Sequence, residues 1–292
     1  MVGDDYGAQL AVVRTALESG ITYFDTAAGY GDGRSEENLG RVLRDLGASP
    51  TLSTKVVLEE PDRSDIAGFI AKSVESSLTR LGRDHVEALI LHNRVAARAD
   101  YPKPPGSGVL LHLDDIFGEG GVAGAFRSLI DQGLVSSVGF TAFGGEPAAI
   151  EEMIACGLFT SMNASYNVIN PSAHIAVPDG FPDPDYQRVI VKAREAGLGV
   201  MAIRVLASGA LVEPAGPDRR IVRLALLARE IGISRVELAI RFVLSTEGVQ
   251  TAVLGLTEVD HVLEAVDAAS KGSLDADVIS EAEAIALDHL DS

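Results

Sequence analysis

The chain has 292 residues, with 24 Lys and Arg against 42 Asp and Glu, a formal net charge of −18, and 47% hydrophobic residues. That is the composition of a folded globular protein able to bury a full core, and its negative balance disfavours a nucleic-acid backbone or an anionic lipid surface as partner while leaving room for a small anion in a local basic pocket. The single cysteine, Cys156, excludes an intrachain disulfide and a cysteine-rich zinc site and is expected as interior filler. No apolar run approaches the roughly 20 residues of a membrane span. The acidic start, Met1-Val2-Gly3-Asp4-Asp5, resembles neither a secretory signal nor a transit peptide. A cytoplasmic protein with one domain over 1–292 is therefore expected.

Residues 4–19 predict a helix with Leu10, Val13, Ala16 and Leu17 on one face, closed by Gly20. Ile21-Thr-Tyr-Phe-Asp25 predicts a strand. Ser35 is the expected N-cap of a helix reaching Leu46, with Asn38 three residues on. A strand over 51–57, a helix over 64–81 and a strand over 85–91 follow. After a long connection come a helix over 121–132, a strand over 135–140, a helix over 147–156 and a strand over 160–165. The remainder predicts a helix over 185–196, a strand over 199–205, helices over 218–231 and 234–245, a strand over 250–254, and helices over 259–270 and 276–289.

Strands separated by helices imply parallel pairing through crossovers. The nearly continuous apolar run Val86-Glu-Ala-Leu-Ile-Leu91 implies a strand covered on both faces. The expected architecture is α/β, a (β/α)8 TIM-type barrel, with an open doubly wound sheet as competitor. No Gly-x-Gly-x-x-Gly opens a helix after a strand, which weakens the competitor.

In a barrel the chemistry gathers at the C-terminal ends of the strands. The first strand ends at Asp25, followed by Thr26-Ala-Ala-Gly-Tyr30; the second ends near Lys55, and the third at His92. Singly, each has a structural explanation: a turn-capping Asp, a solvent-seeking Lys, a core His, a Tyr plugging a glycine-rich loop. Together they form a chemical set. A free phenol holds its proton too tightly for easy transfer near neutrality, and an ammonium beside it favours the phenolate. A buried ammonium needs a carboxylate, which Asp25 would supply. A neutral imidazole would hydrogen-bond a carbonyl and hold it against the phenol. The set suits proton transfer to an oxygen whose carbon exchanges a hydride. It lacks an activated Ser or Cys, and no His and carboxylate spacing suggests a metal.

The segment Ile21-Thr-Tyr-Phe-Asp-Thr-Ala-Ala-Gly-Tyr-Gly-Asp-Gly-Arg-Ser-Glu-Glu-Asn-Leu-Gly40 resembles a signature of the aldo/keto reductases. Ser73-Val-Glu-Ser-Ser-Leu-Thr-Arg-Leu-Gly82 and Leu89-Ile-Leu-His-Asn93 resemble a second, and the likeness extends to Ala252-Val-Leu-Gly255. The resemblance implies a barrel, a nicotinamide cofactor, and interconversion of a small aldehyde, ketone or sugar with its alcohol. Tyr30 would be the general acid/base, Lys55 its partner, Asp25 the counter-charge of Lys55, and His92 the group orienting the carbonyl. Cofactor contacts would come from Asp25, from Thr141 and Ala142 where the family has a Ser-Asn pair, and from Asn163 in place of a Gln. Ile203 would face the nicotinamide ring, and Arg204 to Gly209, with Leu206, would form the diphosphate loop. Gly255, Thr257 and Glu258 follow the last strand. With Asp260 beside them and only His261 as a possible cation, this stretch leans toward NAD(H) over NADP(H).

The family barrel opens with a hairpin and a first strand that are missing here, so seven strands are expected in place of eight. The unpaired edges would be costly, and the chain is expected either to be cut short at its start or to close the gap otherwise. The connection from Asn93 to Gly120, with Pro102, Pro104 and Pro105, is expected as a substrate-covering loop, with Val109-Leu-Leu111 and Phe117 lining a pocket or pinning the loop; the loop 168–184 is a second wall. The alternatives are a non-catalytic cofactor-binding regulatory module, an N-terminally truncated inactive form, and a Schiff-base lyase using Lys55.

Overall fold

A computed structural model describes residues 1–103, 108–213 and 218–288. They group into two compact units, 1–162 with 257–259, and 163–256 with the described residues from 260 onward.

The first unit starts with α1 (Tyr6–Glu18), capped by Asp5, whose carboxylate accepts from the Ala8 N–H at 3.0 Å. Its buried face is Gln9, Val12, Val13 and Ala16. Leu10 and Leu17, expected to be inward, are only half-buried, because Gln9 turns in to donate to the Gly3 carbonyl at 2.5 Å. The strand β1 (Tyr23–Asp25) leads through a glycine-rich turn to α2 (Arg34–Leu46). Gly33, at φ 89°, is the N-cap. Ser35, the expected cap, lies inside the helix because its hydroxyl is taken by that of Thr26 at 2.9 Å. Next come β2 (Thr51–Val56), a 3-10 turn, α3 (Ile66–Leu81) and β3 (Val86–Leu91).

β1, β2, β3 and β6 (Val135–Thr141) pair in parallel in that order. The register sets Asp25 beside Ser53, Lys55 beside Ile90 and Leu91 beside Phe140. Leu52 to Val56 and Ala88 to Leu91 are wholly buried, as parallel strands covered on both faces require. α2 and α3 approach backbone to backbone at Gly40, where a Cβ would stand 2.4 Å from the Leu81 carbonyl oxygen. Beside that contact the buried Glu36 carboxylate accepts from Arg80 Nε at 2.7 Å and from the Thr54 hydroxyl, tying both helices to β2.

The connection after β3, expected as one long loop, contains a short parallel pair, β4 (Val95–Ala96) and β5 (Leu111–His112), and a five-residue helix α4 (Leu113–Phe117). Val109, Leu110 and Leu111 are buried, while Phe117 is exposed. Pro104 and Pro105 lie outside the described residues. α5 (Val122–Asp131) precedes β6, and α6 (Pro147–Ala155) follows it. Cys156 at its end is half-buried rather than filler, with Sγ donating to the Met153 carbonyl at 3.1 Å. The strand β7 (Ser161–Ser165) begins in this unit.

In the second unit the end of β7 lies beside β8 (Gly199–Ile203), since the Tyr166 N–H donates to the Ile203 carbonyl at 3.1 Å. β8 pairs in parallel with β9 (Val249–Ala252), with an irregularity between Val200 and Met201. α7 (Val189–Glu195) starts four residues later than expected, because Gln187 and Arg188 are left-handed, at φ 51° and 57°. β8 stops before Val205 for the same reason: Arg204 turns left-handed at φ 58°. α8 (Arg219–Glu230), α9 (Arg235–Leu244), α10 (Val259–Ser270) and α11 (Ala276–Leu287) complete the fold. The expected helix end at His289 lies outside the described residues.

Candidate active site

The first unit brings together Asp25, Tyr30, Lys55 and His92. Lys55 is 3% exposed on the fifth position of β2. Its ammonium pairs with the Asp25 carboxylate and donates to the Thr26 carbonyl at 2.8 Å. The second Asp25 oxygen accepts from the Ser53 hydroxyl at 2.6 Å. The β1–β2 register enforces this, because Ser53 is directly opposite Asp25 and Lys55 follows two residues on, on the same face. The buried ammonium thus has a carboxylate and a backbone carbonyl as partners.

Tyr30 sits in the turn after β1, where its N–H donates to the Ala27 carbonyl at 3.1 Å. Its ring centre is 4.7 Å from Lys55 Nζ, and 39% of the residue is open to solvent. The His92 ring stands edge-on to it, with centroids 6.1 Å apart and planes at 81°. The His92 N–H donates to the Val56 carbonyl at 2.8 Å, which seats it one residue beyond Lys55 on the neighbouring strand. Burial pulls the imidazole pKa down to about 4, the positive charges of Lys55 and Arg94 pull the same way, and Asp25 opposes them. His92 is therefore neutral at pH 7, with one ring N–H to donate.

Behind His92, Asn93 is fully buried. Its Oδ1 accepts from the Leu58 N–H at 2.8 Å, and its Nδ2 donates to the Leu58 carbonyl at 2.8 Å and the Val109 carbonyl at 2.9 Å. Neither Asn93 nor Ser53 was among the expected site residues. Ser53 carried a signal, since the two-residue period of a strand places it on the Lys55 face; Asn93 carried none.

Thr141 ends β6, and its buried Oγ1 has no hydrogen-bond partner among the described residues. Asn163, on β7, is buried and its Oδ1 is likewise without a partner there. Ala142 is buried. In the second unit, Ile203 is half-buried at the end of β8 and Arg204 is exposed. Arg204, Ala207 and Ser208 are all left-handed without being glycine, a strained turn of the kind that collects at functional sites. The Asn167 side chain steadies it, Nδ2 donating to the Arg204 carbonyl at 3.1 Å. Leu206 is half-buried, and Gly255, Thr257 and Glu258 are exposed in irregular chain after β9. Among the described residues no group of three or more His, Cys, Asp or Glu is placed to hold a metal, and no helix is long and apolar enough to cross a membrane.

The family model "Aldo/keto reductase family" matches residues 5–287. The chain belongs to the aldo/keto reductase family. It is 27% identical to the L-galactose dehydrogenase of Arabidopsis thaliana over 94% of this chain and 83% of that protein. Among solved structures it is similar to the holo form of aldo-keto reductase AKR11C1 from Bacillus halodurans, with a TM-score of 0.74 and 22% identity over 97% of this chain and 89% of that one. An aldo/keto reductase from Klebsiella pneumoniae in complex with NADP and acetate gives a TM-score of 0.72 and 19% identity over 96% and 85%. The fold is the parallel α/β type of the family's (β/α)8 barrel, with seven strands in its main sheet and no hairpin before α1 among the described residues. NAD(P)-dependent oxidoreduction is the chemistry of the family.

Proposed function

We propose that this chain interconverts a small carbonyl compound and its alcohol, with Tyr30 as general acid/base. The observation that carries this is the Tyr30 ring set 4.7 Å from a buried ammonium and edge-on to a neutral imidazole. Hydride exchange at the carbonyl carbon would be supplied by a bound nicotinamide. His92 donates a hydrogen bond to the carbonyl oxygen and orients it. Tyr30 gives its hydroxyl proton to that oxygen as negative charge develops there, and recovers a proton afterwards. Lys55 favours the phenolate left behind. Asp25, fixed by Ser53, is the counter-charge of Lys55. In the reverse direction Tyr30 takes the proton from the alcohol.

Thr141 and Asn163 would hold the carboxamide. Each carries a buried polar atom without a protein partner among the described residues, and a buried polar atom is normally hydrogen-bonded, so each is suited to bond an amide. Ile203 would offer an apolar surface to the ring, Asp25 and Leu206 would add cofactor contacts, and Arg204 would bind phosphate. Gly255, Thr257 and Glu258 would meet the ribose of the adenosine. The exposed Glu258 and Asp260 favour NAD(H) over NADP(H), since carboxylates repel a 2′-phosphate and accept from a ribose hydroxyl. A sugar substrate is supported by the likeness to L-galactose dehydrogenase. The family match over 5–287 supports reading 1–292 as one domain, and a lone cysteine suits a reducing cytoplasm.

The test is a panel of aldehydes, ketones and polyols, followed by nicotinamide absorbance with NADH and NADPH at equal concentration. Tyr30→Phe is expected to lower turnover about 10²- to 10⁴-fold with cofactor affinity retained. Full turnover in that variant would defeat the proposed proton donor, and a strong NADPH preference would defeat the cofactor assignment.

A further inference from the structure

Tyr30 stands on a loop that the chain closes on itself. Residues 26–35 leave β1 and return to the first turn of α2, and the two ends meet: the buried hydroxyls of Thr26 and Ser35 share a hydrogen bond at 2.9 Å. Between them Gly31, Asp32 and Gly33 are left-handed in succession, at φ 64°, 54° and 89°. Asp32 carries a Cβ, and such a conformation persists only where the surroundings hold it.

Each end of the loop is anchored. The Thr26 N–H donates to the Ser53 carbonyl at 3.0 Å, and the Thr26 carbonyl accepts from Lys55 Nζ at 2.8 Å. Ser35 is followed by Glu36, whose buried carboxylate accepts from Arg80 Nε at 2.7 Å. The Arg80 stem crosses Gly33 so closely that a Cβ there would stand 2.6 Å from Arg80 Cδ. Tyr30 hangs between these anchors by its backbone: its N–H donates to the Ala27 carbonyl at 3.1 Å, and its carbonyl accepts from the Ser35 N–H at 3.2 Å. Its ring contacts, edge-on to His92 and facing Lys55, are weak and broad in geometry. The loop therefore decides where the phenol stands. The bonds make a circuit, from Lys55 Nζ to the Thr26 carbonyl, across the two hydroxyls to Ser35, through the Ser35 N–H to Tyr30, and back over 4.7 Å from the Tyr30 ring centre to Lys55 Nζ.

We infer that Thr26 and Ser35 are positioning residues, whose hydroxyl pair fixes the Tyr30 phenol against the Lys55 ammonium and so governs the rate of proton transfer. Neither hydroxyl exchanges a proton with the substrate; both act through Tyr30. Cutting the pair frees the end of the loop, and a misplaced proton donor is slow even where binding is intact. This inference rests on the carbonyl-reductase function proposed above.

The test measures kcat and KM for 4-nitrobenzaldehyde with reduced cofactor. Thr26→Val keeps the shape of the side chain and removes the hydroxyl; Thr26→Ser keeps the hydroxyl and removes the methyl. Thr26→Val is expected to lower kcat about ten- to a hundredfold with KM within about threefold of wild type. Thr26→Ser is expected to lose less kcat than Thr26→Val, and a role in packing alone would reverse that order and overturn the inference. Ser35→Ala cuts the same bond from the helix side and carries the comparison if Thr26→Val does not fold. The double variant, Thr26→Val with Ser35→Ala, is expected to fall no further than the slower single variant, and losses that multiply would overturn the inference. A lowered melting temperature with wild-type kcat in the folded variants would also overturn it. No turnover by wild type, or full turnover by Tyr30→Phe, would remove the underlying function and this inference with it; an inactive Tyr30→Phe beside a fully active Thr26→Val would remove this inference alone.

Discussion

The ammonium of Lys55 lies 4.7 Å from the centre of the Tyr30 ring while its charge is held from the other side by Asp25. One buried cation therefore serves two groups. It pairs with a carboxylate in the folded protein and, under the function proposed above, would also favour a phenolate once Tyr30 has given up its proton. On that reading folding energy and chemistry are coupled at this residue.

That coupling has a measurable cost. Lys55→Met leaves the Asp25 carboxylate with Ser53 alone, and removing one partner of a buried pair costs about 3–5 kcal/mol. Replacing both, Lys55→Met with Asp25→Leu, is expected to cost less than the two single changes added together. Urea unfolding of the three variants checks this; strict additivity would mean that the two side chains do not interact energetically.

The acid side of the stability profile is expected to carry a contribution from His92. Its folded pKa of about 4 lies below the ordinary 6.5. Above pH 6.5 the imidazole is neutral both folded and unfolded, and stability is complete. Between pH 6.5 and about 4 the unfolded chain takes up a proton that the folded one refuses, so stability falls as pH falls. The contribution is on the order of 3 kcal/mol across that window. His92→Gln is expected to lose less stability than wild type between pH 7 and 4.5. Denaturant midpoints at the two pH values decide it, and equal losses would place the acid sensitivity elsewhere.

Thr141→Val separates stability from cofactor binding. The Thr141 Oγ1 is buried without a partner among the described residues, so replacing the hydroxyl by a methyl is expected to leave the melting temperature unchanged or raised. Cofactor affinity, read by titrating nicotinamide fluorescence, is expected to fall roughly three- to tenfold. A drop in melting temperature with unchanged affinity would assign the hydroxyl to the protein's own bonding.

That Asp25, Tyr30, Lys55 and His92 come together was legible because each lies in a short local pattern where an apolar strand ends. The strands were legible too, from β-branched runs bounded by turns. α4 and the β4–β5 pair escaped because five- and two-residue elements are too short to show a period. The true cap of α2 escaped because Ser35 and Gly33 are both acceptable caps; only the spatial neighbour Thr26 decides between them. Left-handed turns at Arg188 and Arg204 ended or delayed regular structure without any glycine to announce them. The atoms of Thr141 and Asn163 that lack a partner among the described residues are invisible in one dimension, because they depend on what does not come near.

The amide of Asn93 holds Leu58 and Val109 together at the foot of the excursion that leaves β3. The ends of that excursion are thus clasped from beneath, independently of what lies between. Under the function proposed above, that clasp would let the excursion change in length or composition while Lys55 and His92 keep their places, so that substrate preference could shift without the reaction itself changing.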